Sequence, residues 1–388
     1  MKEIEFSAAV IEKGVIGERN FVVLDKTLFY PDGKGGQIGD RGKIANAEVL
    51  EVREDESRIL HIVSEIPNEV AVKCIIDDDR RMDASIQHTA QHIISQAFVR
   101  LYNIETLSFH MGEEISSIDL NSINVSQAEI TSAELLSNDV VLENRKVNKF
   151  FVTENDLNKY NLRKKEEIEG PIRIVEIEEF DISMCGGTHV DFTGEIGLIK
   201  VIKSERQKRE LTRLSFVAGK RALKDYSSKS YLVSSLSEFL TTGEEEILEK
   251  VKKLDSESRA LSKESRILKQ SILELQAKII FGEEKAKNPA GTFIERELNE
   301  LCRDDFLAFA KVAAHSYDMP FFLSSSKDIF IIAFRLSKIP EEDFKSIKDK
   351  ILSETRGKVW NLSNDTVAVI CDQSFKEILR RIFIEHLS

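Results

Sequence analysis

Only four cysteines occur in 388 residues, and Cys74, Cys185, Cys302 and Cys371 stand too far apart to suggest a disulfide framework. No apolar run approaches the roughly 20 residues needed to cross a bilayer, and no charged-then-apolar leader opens the chain. The expectation is a cytoplasmic protein without a membrane partner. An excess of basic charge is missing too: the formal net charge is −12, which argues against a generally cationic, nucleic-acid-coating surface. What is present is an ordinary globular composition, 41% hydrophobic and 31% charged, in a chain too long for a single core.

Residues 4–76 read as short strands, with Phe21–Leu24, Ala47–Val52 and Ile59–Val63 rich in β-formers and broken by turn residues. A small β-barrel over residues 1–76 is the natural closure. Between the early strands, Gly33, Gly35, Gly36, Gly39 and Gly42 fall within ten residues. Such a loop can bring backbone N–H groups close to a ligand, or it can be a hairpin tip; no helix follows to complete a phosphate-binding P-loop.

From Asp83, a candidate N-cap, to Leu101 the pattern turns helical, with Ile86, Ala90, Ile93, Ile94, Ala97, Phe98 and Leu101 on one stripe. At about 100° per residue, His88 and His92 fall on the opposite face, beside Gln91 and Ser95. A polar cleft there is expected. Residues 144–217 carry strand-like runs at Ile172–Ile177 and Leu198–Ile202, so residues 77–232 read as an α+β domain.

Ile247, Val251, Leu254, Ser258, Leu261, Ser265, Leu268, Ile272, Leu275 and Ile279 alternate in steps of four and three. That heptad repeat predicts a coiled-coil helix within residues 233–284, capped by Thr242 with Glu245 and stopped at Gly282. Asn288–Gly291 breaks the chain. Beyond it, a helix over Phe293–Tyr317, strands at Pro320–Leu323, Ile329–Phe334 and Thr366–Cys371, a helix near Glu341–Leu352 and a final helix describe a small α/β domain over 285–388.

The chemistry concentrates in two motifs. His88-Thr89-Ala90-Gln91-His92 offers two imidazoles four residues apart on a helix, a spacing that also fits two surface histidines. Cys185-Gly186-Gly187-Thr188-His189 adds a thiolate and a third imidazole on a turn that its glycines allow. Together they form a Cys/His₃ set suited to Zn²⁺. His61, His110, His315 and His386 have no such neighbour and read as structural. Between Lys200 and Arg221 lie eight cations (Lys200, Lys203, Arg206, Lys208, Arg209, Arg213, Lys220 and Arg221) against Glu205 and Glu210, either a solvated face or a phosphate-binding one.

These residues carry a family resemblance. Asp79-Arg80-Arg81-Met82-Asp83, the His88–His92 motif, Ser108-Phe109-His110-Met111-Gly112 and Cys185–Val190 with Thr193–Gly197 resemble the AlaX family, the stand-alone relatives of the alanyl-tRNA synthetase editing domain. Tyr30-Pro31 through Gly36-Gln37 and Gly39-Asp40 is similar to that family's barrel loop, and the helix and tail resemble its long form. The resemblance implies zinc at His88, His92, Cys185 and His189, a hydrolase acting on tRNA(Ala) esterified with serine or glycine, and a tail similar to the synthetase's tRNA-binding and dimerisation domain. Gly35, Gly36, Gln37, Gln91, Gly187 and Thr188 become candidate substrate contacts. Lys200, Lys203, Arg206, Lys208, Arg209 and Arg213 become candidate tRNA-phosphate contacts, and a homodimer through the coiled coil is expected.

Two rivals fall on missing residues. The editing-like motifs begin near residue 30, with no room upstream for an aminoacylation domain, so a free-standing protein is expected. A phosphodiesterase of the DHH type needs an Asp-His-His triplet, which the sequence does not contain. The remaining alternative is a non-catalytic tRNA-binding or scaffolding protein with a structural zinc.

Overall fold

A computed structural model describes residues 4–387 except 57, 154–156, 158, 161, 164–171, 208–209, 288–291, 327–330, 336–340, 356 and 364–365. The chain divides into two compact units, Met1–Phe239 and Leu240–Ser388. The first begins with β1 (Ile4–Ile16), β2 (Arg19–Leu24), β3 (Gly42–Ile44), β4 (Ala47–Asp55), β5 (Arg58–Val63) and β6 (Ala71–Ile76). They pair antiparallel in the order β1-β2-β5-β4-β3-β6, and β6 returns to β1, closing the ring as a barrel. Alternating β-branched residues, among them Val22, Ile44, Val49, Val52, Val63 and Ile76, fill its interior. The glycine-rich loop connects β2 to β3.

The barrel leads directly into α1 (Asp78–Tyr102). The helix starts a turn and a half before the expected Asp83, because Asp77 is the true cap, its carboxylate accepting from Arg80 N at 3.1 Å. Asn103, left-handed at φ 55°, ends it. The apolar stripe enters the main core as expected except for Leu101, which is exposed. The opposite face is not open to solvent. Every residue from Ala84 to Ser95 is buried, so α1 is an axle covered on all sides.

Around it lie β7 (Thr106–Met111), β8 (Ser116–Leu120), α2 (Gln127–Leu142), β9 (Val147–Val152), β10 (Ile172–Ile177), β11 (Asp181–Met184), β12 (Ile199–Gln207), β13 (Leu211–Ala218) and α3 (Lys220–Leu240). Two antiparallel sheets result, β11-β10-β9 and β12-β13-β8-β7. Ile118, Leu120, Leu214 and Phe216 of the larger sheet and Val175 and Ile177 of the smaller one meet α1 and α2 in one apolar core.

The second unit opens with α4 (Ile247–Lys287), preceded by a 3₁₀ turn at Glu244–Glu246. Two expectations are corrected here. The turn that leads into the helix is capped at Gly243 rather than at Thr242, whose hydroxyl donates to Glu246 at 3.0 Å, and the helix runs through Gly282, since Phe281 is buried and Glu284 holds Arg296 at 3.0 Å one turn on. The expected Asn288–Gly291 break lies outside the described residues. The helix expected over Phe293–Tyr317 is β14 (Ile294–Glu297) followed by α5 (Arg303–Ser316). Ile294 and its neighbours add a parallel edge to β15 (Phe321–Ser325), a non-local pairing that local propensity does not encode. With β16 (Ile331–Arg335), α6 (Glu341–Thr355), β17 (Lys358–Ser363), β18 (Thr366–Ile370) and α7 (Lys376–Glu385), the unit is a five-stranded sheet, β14-β15-β16-β18-β17, with helices. Leu273, Ala277 and Phe281 of α4 pack into its core. The heptad positions Leu254, Leu261, Leu268 and Leu275 lie on another face and are exposed. No helix among the described residues is long and apolar enough to cross a membrane.

One polar group sits deep in the barrel. His61 is fully buried, its Nδ1 3.2 Å from Val22 O and its Nε2 2.9 Å from Thr27 Oγ1, and burial pushes its pKa down to about 4. An imidazole that resists protonation in the fold, yet takes a proton near its ordinary value when unfolded, contributes stability present above about pH 6.5 and lost as pH falls towards about 4. From about pH 7.5 to about pH 5 the loss should be roughly 2 kcal/mol. Urea unfolding at the two pH values measures it, and His61→Gln should flatten the difference.

Candidate metal centre

The buried polar face of α1 carries His88 and His92 one turn apart. The Cys185–His189 loop, leaving β11, closes over them. One donor atom each from His88, His92, Cys185 and His189 lies within 4.8 Å of the others, a group that could hold a metal ion. Cys185 Sγ stands 3.4 Å from His88 Nε2 and 3.2 Å from His189 Nε2. Four bonds of about 2.0–2.3 Å arranged tetrahedrally have edges of about 3.3–3.8 Å, so the cluster is close to metal-binding dimensions.

Each imidazole is held from behind through Nδ1. Gln37 Oε1 lies 2.8 Å from His88 Nδ1 and accepts from Thr188 N at 3.0 Å. A backbone N–H only donates, so that Gln37 atom is the oxygen, and His88 Nδ1 must carry the proton it shares. Thr89 Oγ1 donates to Ser85 O at 2.8 Å and therefore accepts from His189 Nδ1 at 3.1 Å. His92 Nδ1 donates to Asp181 Oδ2 at 3.0 Å. All three rings consequently turn a lone pair on Nε2 to the centre, the tautomer a metal requires.

The electrostatics favour a thiolate at Cys185 and a neutral ring at His189, and the charged form at His92. Burial opposes ionisation of Cys185, yet the adjoining imidazoles of His88 and His189 outweigh it and bring the thiol well below its ordinary pKa. Burial pushes His189 down to about 3, leaving it a neutral donor. Burial also works against a charged His92, but the Asp181 hydrogen bond wins and its pKa rises.

Two glycines make the approach possible. A Cβ on Gly187 would lie 2.1 Å from His88 Cε1 and 2.9 Å from Gln37 Oε1. Gly36, at φ 76°, runs so close to β7 that a Cβ would sit 2.2 Å from Phe109 O. That contact fixes the glycine-rich loop and delivers Gln37 beneath His88. Arg173 Nη1, donating to Cys185 O at 2.8 Å and Gly187 O at 2.7 Å, pins the second loop from β10.

The other expected site residues are distributed unevenly. Gln37, with only 1% of its surface exposed, braces His88 and, through Nε2 at 3.1 Å, the Thr188 hydroxyl. Gln91 is buried and donates to Ser95 Oγ at 2.9 Å, while Gly35 sits at the loop crest beside the Tyr30 hydroxyl. Most of the basic run is paired. Lys200 meets Glu134 at 2.7 Å, Lys203 meets Glu205 at 2.7 Å, and Arg213 grips Asp119 with two bonds of 2.7 and 2.8 Å. Lys220 and Arg221 pair with Asp79 and Asp83. Lys208 and Arg209 lie outside the described residues; Arg206 is exposed and has no acidic partner among the described ones. The expected excess of positive charge is thus largely cancelled by carboxylates distant in sequence. Sequence reasoning missed Asp181, Thr89 and Arg173. Only Thr89 carried a signal, its place beside His88.

Comparison with known proteins gives a consistent picture. Residues 172–215 match the family described as threonyl and alanyl tRNA synthetase second additional domain. The alanyl-tRNA editing protein Aarsd1-A of Xenopus laevis is 33% identical over 286 residues, 72% of this chain and 68% of that protein. The alanyl-tRNA editing protein AlaX-L of Pyrococcus horikoshii is 32% identical over 282 residues, 67% of this chain and 68% of its own. An alanine–tRNA ligase of Methanopyrus kandleri is 33% identical over 286 residues, but the match spans only 31% of the ligase.

Gly187→Ala should drive the His88 ring off the centre. Retained metal, measured by plasma mass spectrometry after dialysis, is expected to fall about tenfold or more while the far-ultraviolet circular dichroism is kept. Full retention would mean that the loop can back away from the ring.

Proposed function

The chain belongs to the family of the alanyl-tRNA editing proteins, and on that premise we propose that it is a zinc-dependent deacylase of mischarged tRNA(Ala), acting chiefly on Ser-tRNA(Ala) and also on Gly-tRNA(Ala). The observation that carries the proposal is the convergence of one thiolate and three Nε2 lone pairs on a single buried point. Sulfur with imidazole nitrogen is the donor chemistry of zinc. Bound there, zinc supplies Lewis acidity toward an amino acid or a water that reaches it.

The protein's part is positioning. Gln37, Thr89 and Asp181 hold the imidazoles, and Arg173 holds the loop that carries Cys185. Gly186 is exposed and Cys185 half-buried, so an aminoacyl ester approaches from that side. Such an ester is already activated, and an oriented water with a stabilised oxyanion suffices to cleave it. Selectivity follows from hydrogen bonding. A synthetase pocket shaped for alanine rejects the extra hydroxyl of serine only by about 10², whereas a site that bonds that hydroxyl leaves polar groups unpaired when alanine enters. The Thr188 hydroxyl and the Gln91 amide are the groups we assign to that contact.

Substrate tRNA would meet the first unit near β12, where Arg206 is the described cation without a carboxylate on it. The exposed leucines of α4 repeat at the heptad interval and suit a second copy of the same helix, giving a homodimer. One observation favours a second reading. Four protein donors complete a tetrahedron, the arrangement of a structural zinc, and a non-catalytic tRNA-binding protein would need no more.

Purified protein incubated with Ser-, Gly- and Ala-tRNA(Ala) separates the readings: serine release with alanine retained is expected, and release of neither serine nor glycine from zinc-loaded protein favours the scaffold. Cys185→Ala should abolish both tight zinc binding and serine release. Arg206→Ala should weaken tRNA binding and lower the slope of log K against log salt by about 0.9, the loss of about one phosphate contact. Leu261→Asp with Leu268→Asp should convert a dimer to a monomer by light scattering.

A further inference from the structure

Of the groups behind the three imidazoles, Gln37 and Thr89 are neutral and Asp181 alone is charged. Its side chain is fully buried. Four hydrogen bonds reach its two oxygens: His92 Nδ1 at 3.0 Å, Ser183 Oγ at 2.9 Å, Arg163 Nε at 2.8 Å and Arg163 Nη2 at 3.4 Å. A carboxylate withdrawn from water is costly unless it is paired and hydrogen-bonded, and here it is both. None of these partners faces solvent freely, and the Arg163 side chain is itself only 13% exposed.

We infer that Asp181 is a positioning residue for the metal centre. It fixes the His92 ring with Nδ1–H outward and Nε2 inward, and its negative charge makes that imidazole a stronger donor than His88 or His189. The inference rests on the metal-centre reading and deepens it. Geometry supports it on two counts. His92 sits on the rigid helix and Asp181 at the first position of β11, four residues before Cys185, so a single short strand places both a direct donor and the brace of another. Arg163, whose backbone N–H also bonds Ile182 O at 2.9 Å, holds the far side of the carboxylate and prevents it from swinging away from His92. Outer partners of metal-bound histidines commonly carry about 10–100-fold of the metal affinity.

The test uses the full chain and zinc alone, with affinity read by competition against a chromophoric chelator. Asp181→Ala should weaken zinc binding about 10–100-fold, and Asp181→Asn, which keeps an acceptor but removes the charge, should lie between that variant and the wild type. Arg163→Met, which removes the support on the far side of the carboxylate but not the hydrogen bond to His92, should weaken zinc binding less than Asp181→Ala does. Nitrogen-15 correlation spectra of the histidine rings in the wild-type protein should show His92 protonated at Nδ1, with or without zinc. The inference is overturned by Asp181→Asn binding zinc as the wild type does, by Arg163→Met losing as much as Asp181→Ala, or by a His92 ring that carries no proton at Nδ1. If instead the wild type shows no zinc affinity, the metal reading fails, while the ring spectra still decide the orientation of His92.

Discussion

Three imidazoles must offer the same nitrogen to one point, and a ring left to itself would rotate or change tautomer. The centre therefore depends on what stands behind each ring. Those supports come from three separate places in the chain: the barrel loop supplies Gln37, α1 supplies Thr89, and β11 supplies Asp181. The main architectural pieces of the first unit can be understood as means of bringing these to one helix. The barrel carries the glycine-rich loop against β7, the small sheet carries Asp181 and Cys185, and α1 runs through the middle with both faces covered.

Close approach is the second requirement. Gly36 lets the barrel loop lie on the backbone of β7, and Gly187 lets the Cys185 loop lie on the His88 ring. In both places the missing side chain is space already taken by a neighbour. The bonds from Arg173 to the carbonyls of Cys185 and Gly187 then stabilise a turn that has little side chain of its own with which to pack. Flexibility in the sequence becomes rigidity in the fold because another element fills the volume that glycine leaves.

Charge shows the same dependence on distant partners. Within the basic run, Lys200, Arg213, Lys220 and Arg221 look unopposed along the chain, but Glu134, Asp119, Asp79 and Asp83 lie against them. Arg213 with Asp119 and Arg221 with Asp83 tie strands and helix together, so their cations serve packing as well as surface charge. On α4 the reverse holds. Its heptad leucines read as a coiled-coil seam, while the core of the unit is met by Leu273, Ala277 and Phe281 on a different face. One helix thus carries two apolar surfaces, one buried and one exposed.

The sequence by itself marked part of the architecture and grouped four candidate donors. Runs of β-formers located β2, β4 and β5, and the 3.6-residue and heptad periods located the stripe of α1 and the exposed leucine face of α4, since those patterns record which residues share a face. His88, His92, Cys185 and His189 were legible because their spacings survive in one dimension. Tertiary structure alone decided the rest. Asp181 and Gln37 gain their roles from contacts across 89 and 51 residues, which no local pattern encodes. The strand at Ile294–Glu297 exists because β15 pairs with it, and the polar face of α1 is buried because a loop from far along the chain folds over it. Periodicity reports only whether a face is covered by apolar neighbours; when polar partners cover it, burial leaves no trace until the chain has folded.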